Sequence, residues 1–385
     1  MNQSYHAWEK IYSTEKSIGD LNLLGCFYNA YQTVYLLCAS KSTNKLYIGA
    51  YSIPDEKLSK FRELTNLEEE IYSASVFKET ASYTYWYLLG KKTIWSLEVR
   101  KSTLLFCSLL PFQPKLYPLG IKDPNRDHEG ASLIVFDQTP LVIGGKNSIA
   151  IGGAPINTGR RLLYPATWIP NLNNREGGYW AGGVRDKFLT WDRVAPIVHF
   201  YDKKLFCIAG NQKSKVNIVE SLNIEPYWFR NLDGEARSIP GTYEFSTERA
   251  TINYEGLNCD IKTEYPRPAS CVSENHIFIF SDALFSNRES IYYKYHLASG
   301  HSSGSGNGDW EFLIPGDVKA KDLVFTSAKA VTVGRTIYLI LFKASDGGFI
   351  EDEQSATTQI NVFKIVPQYL KNISILSELC EKLGL

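Results

Sequence analysis

The sequence predicts an all-β chain, a six-bladed β-propeller of four-stranded antiparallel blades with a short C-terminal helix. Three observations predict it. An apolar run, a polar turn and a second apolar run recur along the chain. The recurrence has a repeat-like period of about 65 residues, and helix-period segments are nearly absent. The pattern reads GASLIVFDQTPLVIGGK at 130–146, APIVHFYDKKLFCIAGN at 195–211, RPASCVSENHIFIFSDA at 267–283 and SAKAVTVGRTIYLILFK at 327–343.

With Gly130, Ala195, Arg267 and Ser327 as equivalent starts, the same outline appears upstream in SVFKETASYTYWYLLGKK near residue 75 and GCFYNAYQTVYLLCASKS near residue 25. That makes six copies. A third alternating run follows several of the pairs: KLYIGAY, VNIVESL and SIYYKYHL. A fourth ends on an aromatic in PYWFRNL and DWEFLIP. Four strands per unit follow from this. Such a unit buries neither face alone, and radial packing of six of them closes a ring whose sheet edges are short and protected. Two packed β-sandwiches, or a seventh, irregular blade at 145–192, are the alternatives. The letters diverge between copies because packing selects apolar faces rather than particular residues.

Two segments leave the pattern. Residues 144–192 form a Gly- and aromatic-rich insertion that includes Trp168, Tyr179 and Trp180. Glycines there allow the chain to fold back closely, so the insertion is expected to cover one mouth of a central channel. Residues 368–385 place Ile373, Leu376, Leu379 and Leu383 on one side of an amphipathic helical tail.

Composition bounds the function. Lys plus Arg and Asp plus Glu both number 41, so the chain has no basic excess of the kind that nucleic-acid binding needs to neutralise phosphates. No apolar stretch approaches the roughly 18 residues of a membrane span, and the N-terminus lacks a signal pattern. Asn-x-Ser sequons at Asn2 and Asn372 keep secretion open beside a cytoplasmic location. The seven cysteines are scattered with no C-x-x-C spacing, so neither a zinc site nor a disulfide framework is expected. Cys38 and Cys207 hold matching places in second runs and read as small core residues.

The local motifs are weak. GGKNS at 144–148 has Asn147 where a phosphate loop needs Ser or Thr. GHSSGSGNGDW at 300–310 reads as a hairpin loop. Asp127, His128 and Glu129 are adjacent in an extended segment, so neighbouring side chains point to opposite sides and do not form a metal site. No nucleophile elbow or zinc-protease motif appears. The reading carries no metal and no cofactor.

The unit of Pro-Ala, turn, Ile-Phe-apolar run, aromatic third strand and Trp is clearest at Pro268, Ala269, His276 to Phe280, Tyr292 to Tyr295 and Trp310. It resembles the six-bladed propellers of the fungal fucose-lectin type, with kelch propellers, matched by LVIGG at 141–145, as the competitor. Fucose lectins repeat an Arg, a Glu and an aromatic in blade after blade. The third runs here carry no recurrent Arg, which favours one site over many. Lectin-like propellers also resemble fungal proteins that catalyse hetero-Diels–Alder coupling of quinone methides with terpenes. That resemblance implies a single-pocket, cofactor-independent cyclase. A carbohydrate-binding propeller and a kelch-like interaction scaffold remain the alternatives. The expected partner is an apolar small molecule or a carbohydrate, with no nucleic acid and no membrane.

The site is expected just before or within the first strand of each unit, where strands surround the axis. Arg193, Arg267 and Lys329 are the expected donors to a developing oxyanion, joined by His128 as a catalytic candidate. Glu129, Trp191, His199 and Tyr265, with Trp168 and Trp180 from the insertion, are the expected substrate-binding residues.

Overall fold

The computed structural model describes residues 3–5, 7–14, 18–91, 94–101, 107–112, 115–116, 129–136, 139–147, 150–151, 154–155, 158–159, 163–164, 167–170, 178–181, 194–202, 204–208, 210, 218–223, 250–251, 267–280, 292–296, 310–314, 318, 320–344 and 358–367. Among these the fold is all-β and built from mostly antiparallel sheets with two short parallel pairings, apart from a single short 3-10 turn at Ala320–Leu323. The helical tail expected at 368–385 lies outside the described residues.

Among the described residues, six of the nine sheets each open on one of the recurring pairs. The opening strands are β1 (Leu21–Tyr28), β2 (Ile71–Glu79), β3 (Ala131–Phe136), β4 (Ile197–Tyr201), β5 (Ala269–Ser273) and β6 (Ser327–Val333). Each pairs antiparallel with the second run of its own unit: Thr33–Ser40, Tyr83–Gly90, Thr139–Gly144, Lys204–Ile208, His276–Phe280 and Thr336–Ala344. Third strands follow in order at Lys45–Ser52, Ile94–Arg100, Leu163–Tyr164, Ile218–Asn223, Tyr292–His296 and Thr358–Val366. Two-residue loops close the hairpins of β4, β5 and β6, and their first residues, Asp202, Glu274 and Gly334, adopt positive φ of 45°, 52° and 60°. That is the backbone such a tight turn demands.

The opening strands touch in sequence: β1 beside β2, β2 beside β3, β3 beside β4, β4 beside β5, β5 beside β6, and β6 back beside β1. Polar groups bridge several of these contacts. The Leu23 amide donates to Ser327 Oγ at 2.9 Å, Thr332 Oγ1 donates to the Val272 carbonyl at 2.7 Å, and Ser132 Oγ donates to the Pro196 carbonyl.

Period-two alternation explains the packing. On the second strand of the last sheet, Ile337, Leu339 and Leu341 join Phe278, Phe280 and Phe363 in one apolar layer, shared with the fifth sheet. Their alternates Tyr338, Ile340 and Phe342 join Leu21, Leu23, Val34 and Leu36 in another, shared with the first sheet. Trp86, Leu88, Leu24 and Leu37 build the layer between the first two sheets. Both faces of these central strands are buried, so they read as continuous apolar runs rather than a half-polar alternation.

The N-terminus closes the arrangement. Ala7–Ser13 pairs antiparallel with Thr358–Val366 as the outer strand of the last sheet, and Gln3–Tyr5 pairs parallel with Trp310–Ile314 of the fifth. Trp8 sits edge-on against Phe280 at 5.8 Å and Phe363 at 6.5 Å. Ser13 Oγ donates to Asn361 Oδ1 at 2.8 Å, and Lys10 pairs with Asp322 at 3.4 Å. The repeat pattern starts near residue 20 and gives no sign of this strand.

The described residues of the insertion are largely strand. Leu163–Tyr164 supplies the third strand of the third sheet, and Thr167–Pro170 pairs with Gly178–Ala181 so that Trp168 and Trp180 stand opposite one another in the ladder. Lys146–Asn147 forms a short strand with Thr158–Gly159, so the GGKNS stretch opens no helix.

Candidate functional site

The ring of opening strands brings together groups that are far apart in sequence. Arg267 sits just before β5, and its Nη2 donates to the Ala131 carbonyl of β3 at 3.1 Å, reaching past β4. Tyr72 of β2 is close enough to bear on the Arg267 charge. His199 Nε2 of β4 shares a 2.8 Å hydrogen bond with Ser270 Oγ of β5. Lys329 of β6 feels both the Arg267 charge and the Cys26 thiol of β1. Cys26 Sγ in turn lies 3.9 Å from the Ala330 carbonyl, and Cys271 of β5 senses the same thiol. Groups on all six opening strands are thus linked by hydrogen bonds or by electrostatic coupling.

Local structure sets these positions. Alternation along β6 sends Ala328 and Ala330 toward the fifth sheet and Val331 and Val333 toward the first. Lys329 shares the face of Val331 and Val333, and therefore sits by β1 and Cys26. Lys329, His199 and Arg267 are all half-buried. The first two stand where packing would suit an apolar side chain, which is why they are informative.

Burial governs the electrostatics. Lys329 is pushed down from its ordinary 10.5 to about 8, first by desolvation of its ammonium and then by the Arg267 charge, with Cys26 opposing. Desolvation also lowers Arg267 to about 10, against the pull of Tyr72. His199 falls to about 4, through burial and the Lys329 charge, and is therefore a neutral imidazole at physiological pH. The Cys26 thiol is pushed up to about 12 by burial despite Lys329 nearby, and Cys271 to about 12. Both are protonated and poor nucleophiles. Neither Lys329 nor Arg267 forms an ion pair with a carboxylate among the described residues.

These shifts make stability pH-dependent. The unfolded chain binds a proton at His199 between pH 6.5 and about 4 while the folded chain does not, so this contribution to stability is lost on acidification through that window. At Lys329 the same inequality holds between about 8 and 10.5, so stability rises with pH there. Replacing Lys329 by Met removes a desolvated charge. Urea titrations are expected to show Lys329→Met more stable at pH 7 by about 2 kcal/mol, with the rise above pH 8 flattened. An unchanged slope in that window would show that Lys329 is not desolvated.

No protein-family model matches the chain, and no curated protein matches it in sequence. Among solved structures it is similar to the holo form of the pyranose dehydrogenase PQQ domain from Coprinopsis cinerea, with a TM-score of 0.45 and 9% identity, over 94% of this chain and 98% of that one.

Of the residues singled out in the sequence, Arg267, Lys329 and His199 fall in the central cluster. Glu129 is exposed, in the turn that leads into β3. Trp168 and Trp180 are paired in backbone register on the insertion's hairpin. His128, Trp191, Arg193 and Tyr265 lie outside the described residues. Cys26, Tyr72 and Ser270 belong to the cluster and were not singled out. Their placement on opening strands was the available signal, but a thiol, a phenol and a hydroxyl there look like ordinary packing residues. Among the described residues no group of three or more His, Cys, Asp or Glu is placed to hold a metal ion.

Proposed function

We propose that the six sheets are the blades of a six-bladed β-propeller and that its centre carries one small-molecule site built on Lys329, Arg267 and His199. The observation that carries this reading is the convergence of all six opening strands on two cations that have no carboxylate partner among the described residues. Cations desolvated in this way favour a ligand that brings an anionic or strongly polarised oxygen.

The site is singular. Counted from the hairpin turn, the positions equivalent to Lys329 are Ser132, Ile197 and Ala269 on β3, β4 and β5. A lectin that binds one sugar per inter-blade groove repeats its ligating residues from blade to blade, and these positions do not.

The reaction class that suits such a site is a cofactor-independent cyclisation, of which hetero-Diels–Alder coupling of a quinone methide with a terpene is the specific form proposed. Holding two partners at attack distance supplies at best about 7 to 11 kcal/mol of the barrier. Donors fixed in a low-dielectric centre add to this by stabilising oxygen charge as it develops. Lys329 and Arg267 are the donors, and His199, held by Ser270, is a neutral hydrogen-bonding wall. His128, Arg193, Trp191 and Tyr265, which shortly precede β3, β4 and β5 in sequence, are further candidates for this site. The hairpin bearing Trp168 and Trp180 is its cover.

Two measurements test the reading. Calorimetry with fucose and related monosaccharides is expected to show no multi-site isotherm, while a quinone-methide precursor incubated with a polyene gives an adduct with altered rate or stereochemistry. Saturable binding of several sugars per chain would replace the cyclase by a lectin. Deleting residues 171–184 is expected to abolish small-molecule binding and leave the β circular dichroism unchanged. Unaltered binding would remove the insertion from the site.

A further inference from the structure

We propose that the N-terminal strand Ala7–Ser13 exchanges between two copies of the chain about a hinge at Gly19, so that each copy's strand completes the sixth sheet of the other. This stands apart from the central site. It starts from where the N-terminal segment is held. Ala7–Ser13 pairs with Thr358–Val366 along its length. Beyond it, the Thr14 amide donates to the Ile360 carbonyl at 3.0 Å, the Ile18 amide donates to the Thr358 carbonyl at 2.9 Å, and the Gly19 carbonyl accepts from the Thr358 amide at 2.8 Å. One residue later the chain is tied to the first sheet instead. Asp20 Oδ2 accepts from the Ser42 amide at 2.9 Å and from Ser40 Oγ at 3.1 Å, and the Asp20 carbonyl accepts from the Lys41 amide at 3.2 Å. The boundary between the two anchorages falls at Gly19.

Gly19 adopts a φ of 92°, and a Cβ built on it would meet no atom within 4 Å. Glycine is therefore required there by backbone angle and not by crowding. An extended hinge removes that requirement, since any residue adopts extended φ.

The contacts of Ala7–Ser13 do not depend on its coming from the same chain. A second copy presents the identical edge, with Phe280 and Phe363 for Trp8, Asn361 for Ser13 and Asp322 for Lys10. It is the partner whose fit to that edge the intrachain register already demonstrates. The residues of Ala7–Ser13 are exposed or half-buried throughout, so this strand is the part of the sixth sheet that opens most readily. The bared edge then pairs with whichever copy of the strand reaches it, and concentration decides between them. Reciprocal exchange restores every contact, leaves no edge bare and closes as a two-fold dimer.

The test uses the full chain. Glu9 and Lys364 are ladder partners, so Glu9→Cys combined with Lys364→Cys places two thiols for a short bis-maleimide, and Glu9→Cys alone reports the background from native cysteines. Ordinary and isotope-labelled copies are mixed, held at high concentration and moderate temperature, diluted and cross-linked. The expected result is a dimer by light scattering, with the link between positions 9 and 364 joining ordinary to labelled chains in the mass spectrum. Gly19→Val is strained only in the unexchanged chain. It is expected to raise the dimerisation constant by about 100-fold, about 10-fold for each of the two hinges relieved. A link confined within single chains, with or without a dimer, overturns the exchange, whether or not the valine variant folds. A valine variant with native β circular dichroism and an unchanged dimerisation constant overturns Gly19 as the hinge.

Discussion

Removal of residues 1–13 is expected to unfold the protein or render it insoluble at moderate temperature. The strand Ala7–Ser13 is the last thing joined to the sixth sheet, and it is drawn from the opposite end of the chain. It contributes Trp8 to the layer shared with the fifth sheet, and Ile11 and Tyr12 to the layer shared with the first. Tyr12 also sits edge-on to the buried Tyr51 at 5.6 Å. Partial burial of these three side chains stabilises the fold by about 4 to 6 kcal/mol in area terms, a large share of what a domain has to lose. The deletion also bares Thr358–Val366 as a long apolar edge, which is a template for aggregation. Thermal denaturation of the truncated chain, with and without the separate 1–13 peptide, is the check. A melting temperature within a few degrees of the full chain would show that the closing strand is dispensable.

Gly25→Val is expected to destabilise by about 3 kcal/mol or more, since the backbone has no room to yield. Gly25 lies in β1 where that strand meets β2. A Cβ built there would stand 2.5 Å from the Ala74 carbonyl oxygen and 3.1 Å from its carbon. Only a glycine lets the two opening strands approach so closely. The register also shifts between Leu23 and Gly25, so the strand bends at this point. Cys26 is the next residue and reaches the cluster around Lys329. A valine at 25 therefore also displaces the neighbouring Cys26, whose Sγ lies 3.9 Å from the Ala330 carbonyl. Wild-type stability in chemical denaturation would contradict the close approach.

Much of the fold was legible because it rests on periodicity. Alternation in VYLLCAS, HIFIF and TIYLILF identifies strands, and the turns at 202, 274 and 334 separate them. The six openings found by spacing are the strands that touch in a cycle. The third sheet was less legible. Its third strand, Leu163–Tyr164, is only two residues long and is embedded in the insertion, so no alternating run announces it. The closing strand AWEKIYS was missed for a related reason. It is a single edge strand with alternate side chains partly exposed, and nothing in its letters says which distant strand it completes.

The sequence by itself determined the strand content and the recurrence of the paired apolar runs, because these depend on local alternation. It also marked Arg267, His199 and Lys329 through their places at or near the start of a unit. Only the tertiary structure decided that Arg267 reaches across to the Ala131 carbonyl and that His199 bonds Ser270. Closure of the ring sets distances between residues from β1 to β6, and no local propensity carries that information. The electrostatic character of the site was decided there too. A lysine is ordinary in a sequence, and its amine is depressed here chiefly because packing removes its water.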